Sequence, residues 1–162
     1  MYTFGERSKL NLSYCHPDLI KIHLEAIKRS RIDYGISHGH RTPEQQFELY
    51  KKGRESVGEV WQVVNKKEVV TNCDGYHKKS KHNQYPSIAT DIYIYVKGKP
   101  ELTFDEKHLI YVISHLITTA QYLYENGEIE HVLRWGGNWD VDGEIVYDQN
   151  LIDLPHVELI KP

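Results

Sequence analysis

The sequence predicts a small α+β domain, a mostly antiparallel sheet with helices packed on one face. Three observations lead there. Segments with apolar residues at helical spacing follow recognisable N-caps, other short segments alternate as strands do, and no repeat, low-complexity block or composition shift divides the 162 residues. A chain of this length encloses a core as one domain, residues 1–162.

The elements follow in order. His16-Pro17-Asp18 opens a helix that Leu19, Ile22, His23, Ala26 and Ile27 continue to about Arg29. Residues 33–39 (DYGISHG) are short and strand-like. Thr42 as N-cap, Pro43 at the first helical position and Gln45 completing a capping box start a second helix, which runs to about Lys52 with Gly53 as its stop. From Arg54 to about Lys81 the chain is charged and broken by glycines, with one strand-like stretch at 68–71. Residues 89–96 (ATDIYIYV) form the strongest strand: Ile92, Ile94 and Val96 share one face, and Ala89, Asp91, Tyr93 and Tyr95 the other. Thr103 and Glu106 make a further capping box for a long helix with Leu109, Val112, Ile113, Leu116, Ala120 and Leu123 as its apolar stripe, ending at Gly127. Residues 131–135 and 156–160 read as strands flanking a Gly/Asp-rich loop.

Composition removes several classes of function. A formal net charge of −3 gives no drive toward nucleic acid. No apolar run is long enough to span a membrane, so no membrane insertion is expected. The first residues lack a basic segment followed by an apolar one, so no standard secretory signal is read. Cys15 and Cys73 are too few for a disulfide framework or a cysteine-rich zinc site; they read as free, buried thiols, with a single bridge as the alternative. The excess of histidine, 10 residues, directs the search toward metal ligands.

Asp91 is the first candidate, because a carboxylate within so β-prone a segment is costly to bury without a partner; an exposed face or a salt bridge is the alternative. His82 precedes it, and Asp153-Leu154-Pro155-His156-Val157-Glu158 lies near the C-terminus, where a strand would point His156 and Glu158 to one face. Two neutral imidazoles and one carboxylate suit an open zinc site with a fourth position for water. Asp153 would sit within reach of that water as a proton carrier. Other histidines offer weaker combinations. His38 and His40 would share a strand side as a metal clip or as polar cleft lining, and His108 and His115 share a helix face. His16, His23, His77 and His131 have no partner at a useful spacing. Trp135 and Trp139, with Gly136-Gly137, fit either core and turn or a cleft wall. Asp140, Asp142, Glu144 and Asp148 read as a solvated acidic loop.

These residues carry a resemblance. Ser80-x-His82, Ala89-x-Asp91, Trp135-Gly136-Gly137-x-Trp139 and Asp153-x-x-His156-x-Glu158 occur in the order found in the M15 zinc peptidases, and within them the sequence most resembles the phage-type L-alanyl-D-glutamate endopeptidases, or endolysins. Ser37-x-Gly39-His40-Arg41-Thr42 and Gln45 … Leu49-Tyr50 … Gly53-Arg54 resemble the family's N-terminal motif. The likeness spans roughly residues 33–158. Eight residues separate His82 from Asp91, where the commoner spacing is six with a glycine between; Pro86-Ser87 occupies that region and resembles a phage subgroup with a longer loop. Val157 stands where an aromatic residue is common.

The resemblance implies a zinc peptidase fold of the D-Ala-D-Ala carboxypeptidase/Hedgehog type and a single catalytic domain with no separate cell-wall-binding module. It implies Zn2+ on His82, Asp91 and His156, Asp153 as the catalytic carboxylate, and Arg41 steadying the substrate carbonyl. Ser80 and Glu158 are expected to support the site, and Trp135 and Trp139 either to support it or to contact substrate. The substrate implied is the bacterial peptidoglycan stem peptide, cut between L-Ala and D-Glu by a monomer. The enzyme is expected to wait in the host cytoplasm until a holin pore releases it to the periplasm and cell wall. A D-Ala-D-Ala carboxypeptidase on the same site, or a non-catalytic zinc-stabilised binding module, are the alternative readings.

Overall fold

A computed structural model describes residues 1–142 and 151–162. The described elements are α1 (Glu6–Leu12), α2 (Pro17–Arg29), β1 (Tyr34–His38), α3 (Pro43–Tyr50), β2 (Arg54–Val57), β3 (Val60–Val63), β4 (Ala89–Ile94), α4 (Glu106–Glu125), β5 (Val132–Trp135) and β6 (His156–Ile160). β1, β4, β6 and β5 form an antiparallel sheet in that order, and β2 pairs with β3 as a separate hairpin. The predicted class is the observed one.

The two faces of the main sheet have different chemistry. Ile92 and Ile94 of β4 and Val157 and Leu159 of β6 join Leu19, Ile22 and Ala26 of α2 and Leu109, Val112, Ile113 and Leu116 of α4 in one core. Each such side chain contributes about 1.5–3 kcal/mol by leaving water. Strand alternation then turns Asp91, His156 and Glu158 to the opposite face. His23 of α2 is fully buried beneath β4, its Nε2 2.8 Å from the Thr90 hydroxyl.

Several local expectations need correction. α1 was not predicted; it is short, and it buries only Ser8 and Leu12. The strand-like stretch at 68–71 is not a strand, because a 3-10 turn over Lys66–Glu68 precedes it. The extended pair here is β2–β3, anchored where the Trp61 ring meets Phe47 of α3 edge to face at 5.7 Å. The N-cap of α4 is Asp105, whose carboxylate accepts the His108 amide, whereas Thr103 donates its hydroxyl to the Pro100 carbonyl. Cys15 is buried and Cys73 partly so, and both are free.

Candidate active site

Pairing register assembles the site. Asp91 of β4 lies directly opposite His156 of β6 on one side and His38 of β1 on the other. On the neighbouring pair, Glu158 of β6 lies opposite Arg134 of β5. His82 arrives from outside the sheet on a 3-10 turn over Lys81–Asn83. Ser80 fixes that turn: its hydroxyl donates to Asn83 Oδ1 at 2.9 Å and to the buried Gln46 Oε1 at 3.1 Å. Ser80 therefore supports His82 by holding its turn against α3.

His82 Nε2, Asp91 Oδ1 and His156 Nδ1 form a triangle with edges of 3.2, 3.0 and 3.2 Å. Each imidazole is turned by a partner on its far nitrogen. His82 Nδ1–H donates to the Gly39 carbonyl at 2.7 Å, and His156 Nε2 lies 3.3 Å from Glu158 Oε2. Those bonds leave two ring nitrogens and a carboxylate oxygen facing one point, an arrangement that suits a cation. A tetrahedral ion with bonds of about 2.0–2.1 Å separates its donors by roughly 3.3 Å, close to the observed edges. The three residues are buried and could hold a metal.

The electrostatics agree with a centre built for positive charge. Burial opposes the Asp91 carboxylate, but His82, His156 and Arg41 hold it well below the usual range. Burial likewise opposes a charged His156, yet bonds to Asp91 and Glu158 push it up to about 9. Burial also raises Glu158, and His156 with Arg134 outweighs it and lowers it. Arg134 ion-pairs with Glu158 Oε1 and donates to the Trp139 carbonyl at 3.3 Å.

Asp153 lines the same cleft. Burial first, and then the charge of Asp91, raise its carboxyl above the ordinary value. Its backbone is locked by Gly136, whose carbonyl accepts the Asp153 amide at 2.9 Å while the Gly136 amide donates to the His156 carbonyl at 2.9 Å. A Cβ on Gly136 would lie 2.3 Å from the Asp153 carbonyl oxygen, so this position admits only glycine. Gly39 is equally constrained, with a Cβ placed 2.0 Å from the Asn11 carbonyl of α1.

Arg41 ion-pairs with Asp91 Oδ2, leaving Oδ1 to the histidines. Its Nε is buried without an acceptor among the described residues. The tryptophans divide. Trp135 is buried and donates its indole N–H to the Leu154 carbonyl at 2.8 Å, whereas Trp139 lines the cleft with its ring 5.4 Å from that of His156. His38 is also cleft lining, its Nδ1 3.6 Å from Asp91 Oδ2. His40 instead packs edge to face on Tyr85, and His16, His23, His77, His108, His115 and His131 do not line the cleft. Of the acidic loop, Asp140 and Asp142 are exposed, and Glu144 and Asp148 lie outside the described residues.

Arg134 and Gln46 are not among the residues singled out from the sequence, and Arg54 enters there only as part of the N-terminal motif, without a role. Arg134 interrupts an apolar strand between Leu133 and Trp135, which was a usable signal. Arg54 is buried; it donates to the Tyr50 and Thr71 carbonyls at 2.6 and 3.0 Å and stacks on the Tyr50 ring at 4.0 Å, fixing the wall that follows α3. The cleft is about 590 Å³, and beyond His82, Asp91 and His156 its charged lining includes Lys52, Lys78, Lys79 and Lys81.

Comparison with known proteins accords with this geometry. The L-Ala D-Glu endopeptidase ChiX of Serratia marcescens has a similar structure, with a TM-score of 0.62 and 20% identity over 98% of this chain and 90% of that one. A search of the curated proteins finds no match. The profile of the phage L-alanyl-D-glutamate peptidases matches residues 1–160. The chain therefore belongs to the phage L-alanyl-D-glutamate peptidase family, enzymes that cut the peptide of bacterial peptidoglycan.

Proposed function

We propose that the cleft performs zinc-dependent hydrolysis of the L-Ala–D-Glu bond of the stem peptide, with His82, Asp91 and His156 holding the ion. The observation that carries this reading is the buried triangle of three acceptor atoms, each backed by a partner that fixes its orientation. Zinc in that position supplies a Lewis acid that polarises a carbonyl and acidifies a water.

The remaining work falls to protein side chains. Asp153 takes a proton from the attacking water and passes it to the departing amine of D-Glu. The shielding that raises its carboxyl also makes it a better base than a solvated aspartate. Arg41 anchors Asp91 and presents positive charge where the scissile carbonyl oxygen becomes negative. Glu158, held by Arg134, fixes the His156 ring. Trp139 forms a wall against which the peptide packs, and Trp135 seats the Gly136 turn from below. The four lysines of the cleft suit a stem peptide that carries free carboxylates. The enzyme acts as a monomer and reaches the wall through a holin pore; size-exclusion chromatography and lysis with and without a co-expressed holin test these two points.

The deciding experiment joins metal analysis to mass spectrometry of digested muropeptides. The expected result is one catalytic zinc and release of whole stem peptides. Asp153→Ala keeps zinc and loses turnover; His156→Ala loses both. Wall lysis by Asp153→Ala at the wild-type rate removes the proposed base, and loss of a single D-Ala in place of stem-peptide release assigns the carboxypeptidase reaction.

A further inference from the structure

A second convergence of imidazole and carboxylate lies outside the cleft. His16 is the N-cap of α2, Asp18 stands in its first turn, and His131 immediately precedes β5. Their spacing along the chain offers no reason to join them. In the fold, His131 Nδ1 lies 2.7 Å from Asp18 Oδ2 and His16 Nδ1 lies 3.9 Å from Asp18 Oδ1. The two rings meet edge to face with centroids 4.9 Å apart. One donor atom from each of the three residues falls within 4.8 Å of the others. Their side chains are 15–28% exposed, sheltered enough to limit competition from water and open enough for an ion to enter.

The cluster is held in place by the protein. Asp18 Oδ2 also accepts the Glu130 amide at 3.0 Å, and Lys21 of α2 pairs with Glu128 at 2.8 Å, so the approach to β5 is already tied to α2. His16 Nδ1 accepts the Asp18 amide at 3.2 Å, which fixes the orientation of that ring at the start of α2. Two ring nitrogens and one carboxylate leave a divalent ion with one net positive charge and an open position. This donor set selects borderline transition ions of the zinc class over calcium or magnesium, which require shells of oxygen.

We propose that His16, Asp18 and His131 form a second site for a divalent ion of the zinc class, stapling the start of α2 to the start of β5. β5 carries Arg134 and leads into the Gly136 turn and Trp139. An ion here therefore stiffens one wall of the cleft while taking no part in the reaction.

Titration of the metal-free protein with Zn2+ tests the assignment. The wild-type chain takes up two equivalents. The double variant His16→Ala/His131→Ala takes up one and keeps its peptidase activity, whereas His82→Ala/His156→Ala takes up one and has none. That last variant separates the second site from the catalytic reading, because its remaining equivalent does not depend on turnover. Zinc added beyond the first equivalent, at about 100 times the dissociation constant, raises the wild-type Tm by about 5 °C or more and leaves the double variant unmoved. His16→Gln/His131→Gln, which keeps polar side chains of similar reach, repeats the measurement if the alanine pair unfolds. A wild-type stoichiometry of one, a second equivalent that survives in either double variant of His16 and His131, or calcium filling the site in place of zinc would overturn the proposal.

Discussion

Replacing Gly136 by alanine tests Asp153, the proposed acid–base group, apart from the residues proposed to hold the metal. The new Cβ would stand 2.3 Å from the Asp153 carbonyl oxygen and 3.1 Å from the Asp153 Cβ, where ordinary contact begins near 3.4 Å. The Asp153 backbone must therefore retreat by about 1 Å, a displacement that costs on the order of 100-fold when it moves a catalytic group. That factor corresponds to about 2.7 kcal/mol of transition-state stabilisation. His156 is held from elsewhere, by pairing with Asp91 across the sheet and by Glu158 on its outer nitrogen. Gly136→Ala is thus expected to bind the proposed zinc normally while kcat on an L-Ala–D-Glu stem peptide falls about 100-fold. Steady-state kinetics and metal content measured on the same preparation give both quantities. A kcat within about threefold of wild type, or loss of zinc together with turnover, would falsify the argument that this glycine exists to seat Asp153.

Three further outcomes can be measured. Arg134→Met leaves the buried Glu158 with His156 as its remaining side-chain partner, so denaturant unfolding should show a loss of about 2 kcal/mol; an unchanged midpoint argues against the pair. His23 has its pKa pushed down to about 3 by burial, while an unfolded histidine titrates near 6.5. Below pH 6.5 the unfolded chain gains a proton that the folded chain refuses, so stability falls as pH falls. Between pH 7 and pH 5 the loss from this residue is about 2 kcal/mol, and His23→Gln should remove that slope; parallel pH curves for the two proteins refute it. Lys78→Glu/Lys79→Glu reverses charge on the cleft rim without touching the centre and should raise KM about tenfold at low salt with kcat unchanged, the effect shrinking in high salt; a KM equal to that of wild type removes these lysines from substrate binding.

The parts of this molecule legible in the sequence are those encoded locally. The capping box of α3 is present as read, with Thr42 accepting the Gln45 amide and the Gln45 side chain accepting the Thr42 amide. β4 is a strand as predicted, although it ends at Ile94 and not at Val96 and is buried on both faces. His82, Asp91 and His156 could be named because their motifs are short and ordered, and the fold brings them together. The rest depends on register and tertiary approach. Arg134 matters because β5 and β6 pair so that it faces Glu158, a relation absent from either segment alone. His16 and His131 meet through a helix start and a strand start far apart in sequence. The hairpin β2–β3 has mostly exposed strands, tied to α3 by the Trp61–Phe47 contact and by Arg54 on Tyr50, so its sequence carries little periodicity. The longer His82–Asp91 loop also has a use that spacing could not reveal. Ser87 is buried and exchanges backbone bonds with Tyr14 and His16, pinning the loop to the α1–α2 junction.

β6 comes last in the chain yet lies between β4 and β5, and in the described sheet β5 has no other neighbour. β4 and β5 are joined only through this later strand, so closing the sheet is a long-range step of folding. The same strand delivers His156 and Glu158. A nascent or clipped chain that lacks it has an open sheet and an incomplete ligand set together. Closing the sheet and completing the group of His82, Asp91 and His156 thus depend on one and the same strand.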